Sequence, residues 1–258
     1  MLSIINKSRI SIFSAVILSI ATSCASPTSN TGIFGGSDFN LKSLVVTKIL
    51  PDRTSVSASL KWNPISGADH YELSRVQDSG TEVNIKSVIP NATLTFNDAN
   101  LRQESSYQYI IRAVDSKNKL ISTGKTETIK PISSTDLPAT QILDLKPLPD
   151  SNRITRETNL KWSSVDNVDL YYPAITNDAS GKQIFGVFTK NNTINLNTVS
   201  SPENLSDIIK LELPILTDGL SISVQHKFSV YTIKFNNKEL EKATAIGIRQ
   251  SPEVNIII

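Results

Sequence analysis

Few residues in this chain could do chemistry. Among 258 residues there is one cysteine, Cys24, and there are two histidines, His70 and His226. A thiolate is a nucleophile and a site of covalent modification, so Cys24 stands out first. Zinc needs several nitrogen, oxygen or sulfur donors converging on one point, and two histidines in different halves of the chain do not supply them. Asp166, Asp169 and Asp178 lie near one another, but without the Asp-x-Asp-x-Asp-Gly spacing of a calcium loop. Glu239 and Glu241 are a loop pair, whereas glycoside cleavage needs two carboxyls in a pocket with one pKa raised. No Gly-x-Ser-x-Gly elbow, Gly-rich phosphate loop or His-Glu-x-x-His helix occurs. The expectation is a chain that is not an enzyme and takes no metal or cofactor.

The surroundings of Cys24 give it a different chemistry. Lys7 and Arg9 precede an apolar run at residues 10–21, which leads into Thr22-Ser23-Cys24. A run of twelve residues is too short to span a bilayer, which takes roughly 20. Basic start, short apolar run and small residues together read as a secretory signal. Ala21-Thr22-Ser23-Cys24 resembles the lipobox of bacterial lipoproteins. That resemblance implies removal of residues 1–23, a diacylglycerol thioether on Cys24, and palmitate-type acyl chains holding the new N-terminus in a membrane. One acyl chain binds a bilayer only marginally, whereas two hold. The implied location is the cell envelope, on the extracytoplasmic face; Ala25 after the cysteine favours the outer membrane in a Gram-negative cell. The glycosylation sequons at Asn91, Asn191 and Asn204 read as chance matches in a bacterial chain.

Removing the signal changes the charge. The chain has 26 basic and 24 acidic residues, and Lys7 and Arg9 are the two in excess. The mature chain is neutral, so no basic field argues for nucleic acid. Residues 24–40 carry the cysteine and a tract rich in Ser, Thr, Asn, Gly and Pro with no apolar period. As a flexible tether it would span roughly 20–25 Å. Phe34 and Phe39 within it are expected to pack on the first domain.

The rest of the chain repeats. Leu60-Lys61-Trp62 recurs as Leu160-Lys161-Trp162, and Tyr71 recurs as Tyr171, with Ile65 and Ala68 matching Val165 and Val168. Both tryptophans of the chain lie in this repeat. Alternating segments at residues 56–62, 70–76 and 107–113, separated by turn residues, read as strands. Residues 202–209 could hold one short helical turn. Strands at this spacing indicate a sandwich or barrel.

Leu60-Lys-Trp62, residues 67–73 ending in Tyr71-Glu-Leu73, and Leu101 followed by Tyr107-Gln-Tyr109-Ile-Ile111-Arg-Ala113 resemble a fibronectin type III domain. The resemblance implies an all-β fold of two tandem β-sandwiches, at residues 41–130 and, more divergent, 140–258, joined by a linker at 131–139. It places Trp62 under Tyr71, and Trp162 under Tyr171, as structural cores. Tyr107 takes the tyrosine-corner position, and His226 replaces the tyrosine there in the second unit. The distance from Trp to the corner leucine is longer in the second unit, which puts an insertion within residues 191–207.

That polar insertion is the candidate recognition loop, with Asn191, Asn192 and Asn204 in it. Tyr172, next to the core Tyr171, is expected to face outward and stack on a sugar or partner. His70 is likewise expected to face outward. The function expected is a membrane-anchored, non-catalytic envelope protein presenting two sandwiches to an unidentified protein or polysaccharide, through loops or edge strands. One alternative is a carbohydrate-binding accessory protein or enzyme of cell-wall polysaccharide. The other is a pilus-type periplasmic chaperone, which would need a long apolar strand to donate; Lys125-Thr-Glu-Thr128 is too polar for that.

Overall fold

A computed structural model describes residues 39–258 apart from 144, 146–153, 156, 199, 203, 218–219 and 221–223. Cys24, the signal and Phe34 lie outside the described residues.

The first repeat supplies β1 (Lys42–Ile49), β2 (Thr54–Lys61), β3 (His70–Gln77), β4 (Val83–Pro90), β5 (Thr95–Asp98), β6 (Tyr107–Val114) and β7 (Leu120–Lys125). The second supplies β8 (Ile142–Leu143), β9 (Asn159–Trp162), β10 (Leu170–Asn177), β11 (Gln183–Gly186), β12 (Thr193–Asn195), α1 (Asp207–Glu212), β13 (Gln225–Phe235), β14 (Ala245–Gln250) and β15 (Val254–Ile257). In the first unit β1-β2-β5 faces β4-β3-β6-β7; in the second β12-β9-β8 faces β11-β10-β13-β14. Each unit is a three-strand sheet on a four-strand sheet. Strands β14 and β15 both pair with β13, one after the other. Between them, where Pro252 cannot donate, the Ser251 N–H donates to the Val230 carbonyl at 2.9 Å, and the Val230 N–H donates to Ser251 Oγ at 3.0 Å.

The repeat holds at the level of atoms. Trp62 meets Tyr71 with ring centroids 5.6 Å apart, and Trp162 meets Tyr171 at 5.7 Å. The Ile65 N–H donates to the Tyr71 hydroxyl at 3.0 Å, and the Val165 N–H donates to the Tyr171 hydroxyl at the same distance. Trp62 and Trp162 lie in separate cores. The Tyr107 hydroxyl donates to the Arg102 carbonyl at 3.1 Å and accepts from the Arg102 N–H at 2.6 Å, tying β6 to the connection before it. His226, at the matching place, is fully buried. An ion pair bridges the two sheets of the first unit: Arg75 Nη1 and the Tyr109 hydroxyl both donate to Asp98 Oδ2, at 2.8 and 2.9 Å. Phe39 stacks against Tyr71 at 6.0 Å. Gly124 leaves room for it; a Cβ there would sit 2.7 Å from the Phe39 Cβ.

The two sandwiches share a sheet. Strand β1 pairs with β2 on one side and, in parallel, with β14 on the other, Lys48 opposite Ile248 and Ile49 opposite Arg249. The result is one sheet in the order β11-β10-β13-β14-β1-β2-β5. Thr244 Oγ1 also donates to the Ser43 carbonyl at 2.9 Å across the same seam. Residues 131–139, which read as a linker between separate bodies, are wedged against this sheet. The Ile132 N–H donates to the Ile246 carbonyl at 2.7 Å, Arg249 Nη1 donates to the carbonyls of Ser134 (2.7 Å) and Leu137 (3.0 Å), and Thr232 Oγ1 donates to the Pro138 carbonyl at 3.1 Å. Leu137 is fully buried. A peptide segment with its carbonyls and N–H groups paired in this way has no freedom to act as a hinge.

Candidate functional site

Side chains opposite one another in a ladder share a face of the sheet. Leu44, Val46 and Lys48 of β1 therefore lie on the same face as Ile248 of β14, Ile233 and Tyr231 of β13, and Leu170 and Tyr172 of β10. This is the face turned away from the two tryptophan cores. In an isolated sandwich it would be wetted, yet these side chains form a third core. The insertion of the second unit covers it. Leu205, Ile208, Ile209 and Leu213, in and around α1, pack onto Leu44, Val46, Phe235 and Ile248. The helix, Asp207–Glu212, begins inside the run 202–209 that could hold a helical turn and continues three residues beyond it. The apolar pair Ile208-Ile209 faces the sheet, which decides where a helix this short can form, because packing and not propensity stabilises it.

Polar contacts fix the insertion to both units. Glu212 of α1 reaches the first unit, accepting from Lys48 Nζ at 3.1 Å and from the Ser59 hydroxyl. Leu216 exchanges two backbone hydrogen bonds of 2.9 Å with Gly186 and so pairs with the end of β11.

Tyr172 is not the outward-facing platform that its position beside Tyr171 implies. It is fully buried. Its ring lies 4.8 Å from Phe188 and 6.0 Å from Tyr231. Its hydroxyl donates to the Pro214 carbonyl at 2.6 Å and accepts from Gln183 Nε2. Burial pushes the phenol above its ordinary pKa, so the proton it donates to Pro214 stays in place. The physical reason for the correction is the insertion, which turns both faces of β10 into core. His70, also expected outside, is nearly buried, with Nδ1 3.0 Å from Asp69 Oδ2.

Asn191, Asn192 and Asn204 are exposed. Asn192 nonetheless has a structural bond: its Nδ2 donates to the Trp162 carbonyl at 3.2 Å. The insertion is divided between two cores: Ile194 and Leu196 are buried in the Trp162 core, and Leu205, with Leu213 beyond it, in the third core. Among the described residues no group of three or more His, Cys, Asp or Glu is placed to hold a metal ion. Among them also no helix is long and apolar enough to cross a membrane.

What the structure does bring together is a groove of about 560 Å³ where the two units meet. Lys48, Leu50, Arg53 and Ser55 of the first unit line one side; Gln183, Glu212, Leu213 and Tyr231 of the second line the other. None of these residues is legible as a site in sequence, because they come from four separated stretches and share no motif. Volumes of this order suit small ligands or a few residues of a larger one.

Comparison with known proteins gives structural likeness only. A two-domain fibronectin type III segment of chicken tenascin is similar at 15% identity, covering 79% of this chain and 92% of that one, with a TM-score of 0.28. The FN1–FN3 domains of chicken CNTN1 are similar at 13% identity, covering 83% of this chain and 62% of theirs, at 0.34. A chain of a cytokine receptor complex is similar at 10% identity, covering 84% and 96%, at 0.30. No protein-family profile matches the chain, and no curated protein is significantly similar to it. The chain is an all-β protein of two sandwiches, each a three-strand sheet on a four-strand sheet. Its own strand order carries that statement.

Proposed function

We propose that this chain is a lipid-anchored, non-catalytic protein of the bacterial cell envelope that displays two fused sandwiches as one binding body. Cys24 is the attachment point, the tract to residue 38 is the spacer, and Phe39 is where the spacer meets the fold. The observation that carries the display reading is the parallel pairing of β1 with β14. It converts two domains that could swivel into one body with a fixed groove between them, and fixed geometry lowers the ordering cost of binding. It also occupies two strand edges, so binding by strand addition falls to other edges. Of these, β4 is a poor template: its register against β3 slips twice, and it carries Lys86 and Pro90.

The anchor is tested by growing expressing cells with an alkyne palmitate analogue. The native chain is expected to take up label and sediment with membranes. Cys24→Ser is expected to lose the label and to retain residues 1–23. Equal labelling of both would end the lipoprotein reading.

A further inference from the structure

We propose that the groove between the two units binds an acidic oligosaccharide, one whose sugar rings carry carboxylates beside free hydroxyls. This deepens the binding reading above and rests on it.

The lining of the groove carries unused hydrogen-bonding capacity. Arg53 is exposed, and its guanidinium has no carboxylate partner among the described residues. It presents a planar fork of donors matched to a carboxylate. Lys48 spends one proton on Glu212 at 3.1 Å, and an ammonium has three. Glu212 accepts from Lys48 and from Ser59, one oxygen each, and its charge offsets that of Lys48, which leaves Arg53 as the uncompensated charge of the lining. Gln183 is held by its amide N–H₂, which donates to the Tyr172 hydroxyl, and that hydroxyl gives its own proton to Pro214. This chain of donors fixes which way the amide points. It leaves the Gln183 carbonyl oxygen without a partner among the described residues, ready to accept from a hydroxyl. Tyr231 adds a half-buried ring, held edge-on by Tyr172. Burial raises its phenol pKa, so it stays neutral.

The free valence is thus a net positive charge rich in donors, beside the Gln183 carbonyl and an apolar plate. The complement is an anion rich in acceptors, with hydroxyls and a flat apolar face. Acidic sugars have all four properties. An extended acidic peptide lacks the match in one respect. A peptide that docks by a backbone ladder needs a free strand edge, whereas the floor of the groove is the face of a sheet. Of the strands that line it, β1 and β13 are paired on both sides, and the terminal strand β11 is already bridged at Gly186 by Leu216.

The test uses the full-length chain in detergent and isothermal titration with three probes: a galacturonic acid hexamer, maltohexaose and hexaglutamate. Saturable binding of the galacturonic acid hexamer is expected, with maltohexaose about tenfold weaker or worse, since one charge-assisted contact is worth about that factor. Arg53→Ala is expected to weaken the uronate about tenfold with an unchanged melting temperature, because the residue is exposed and its side chain makes no hydrogen bond or ion pair among the described residues. Arg53→Lys is expected to recover only part of the loss. No saturable uronate binding, or an Arg53→Ala variant that binds as the parent does, overturns the proposal. Hexaglutamate binding as tightly as the uronate overturns the ligand class and leaves a binding body. The anchor stands or falls separately, on the Cys24 labelling.

Discussion

Gly247→Val is expected to be among the most damaging single substitutions in the chain. Gly247 sits mid-strand in β14, where a glycine is ordinarily a weakness. The wedge of residues 131–139 explains it. A Cβ at this position would fall well inside van der Waals distance of Ile132 Cγ2 and 3.1 Å from Leu137 Cδ2. Neither neighbour can step aside cheaply. Ile132 is pinned by its N–H to Ile246 and by its carbonyl, which accepts from Gln103 Nε2 at 2.8 Å; Leu137 is held through its carbonyl by Arg249. Overpacking by a methyl group costs about 1–3 kcal/mol where the surroundings are rigid, so Gly247→Ala is expected to lose that much. Valine adds two more carbons and is expected to lose more, with the wedge expelled. Urea titration measures the loss, and a wedge that is a free linker would leave the midpoint unchanged for both variants.

Trp162→Ala carries the second large effect. The indole is fully buried against Tyr171 in the core of the second unit. Truncating a buried Trp typically costs about 3–5 kcal/mol. The discriminating readout is Trp62, which belongs to the other tryptophan core and becomes the only indole left. Because the joined sheet and the cover of α1 couple the units, Trp62 fluorescence is expected to report the same loss as far-UV circular dichroism, in one transition. Independent units would leave the Trp62 transition where it stands in the parent.

The local motifs of the fold are legible in sequence because they are short-range. Trp62 and Tyr71 lie nine residues apart on facing sheets, and their spacing repeats at Trp162 and Tyr171. The Tyr107 bond to Arg102 closes over five residues. The junction is not legible in that way, since β1 and β14 are two hundred residues apart and their pairing depends on which face each strand leaves uncovered. A signal was nevertheless present. Leu44-Val45-Val46 is apolar without alternation, and so is much of residues 170–175. A strand that faces water on one side alternates; a strand buried on both sides does not. Both runs are buried throughout. The outward assignment of Tyr172 follows alternation from Tyr171, and it fails because α1 and the residues before it supply a second core on the other face. The groove was invisible for a related reason: Arg53 and Gln183 are ordinary surface residues until the two units are joined.

The parallel seam between β1 and β14 underlies the fixed groove, the buried third core and the coupled unfolding. Cross-strand nuclear Overhauser effects in the isotopically labelled chain read it directly. Amide and Hα contacts linking Lys48 and Ile49 to Ile248 and Arg249 are expected, in the register of a parallel ladder. Absence of those contacts, with each β strand showing contacts only inside its own sandwich, would contradict the seam and everything built on it.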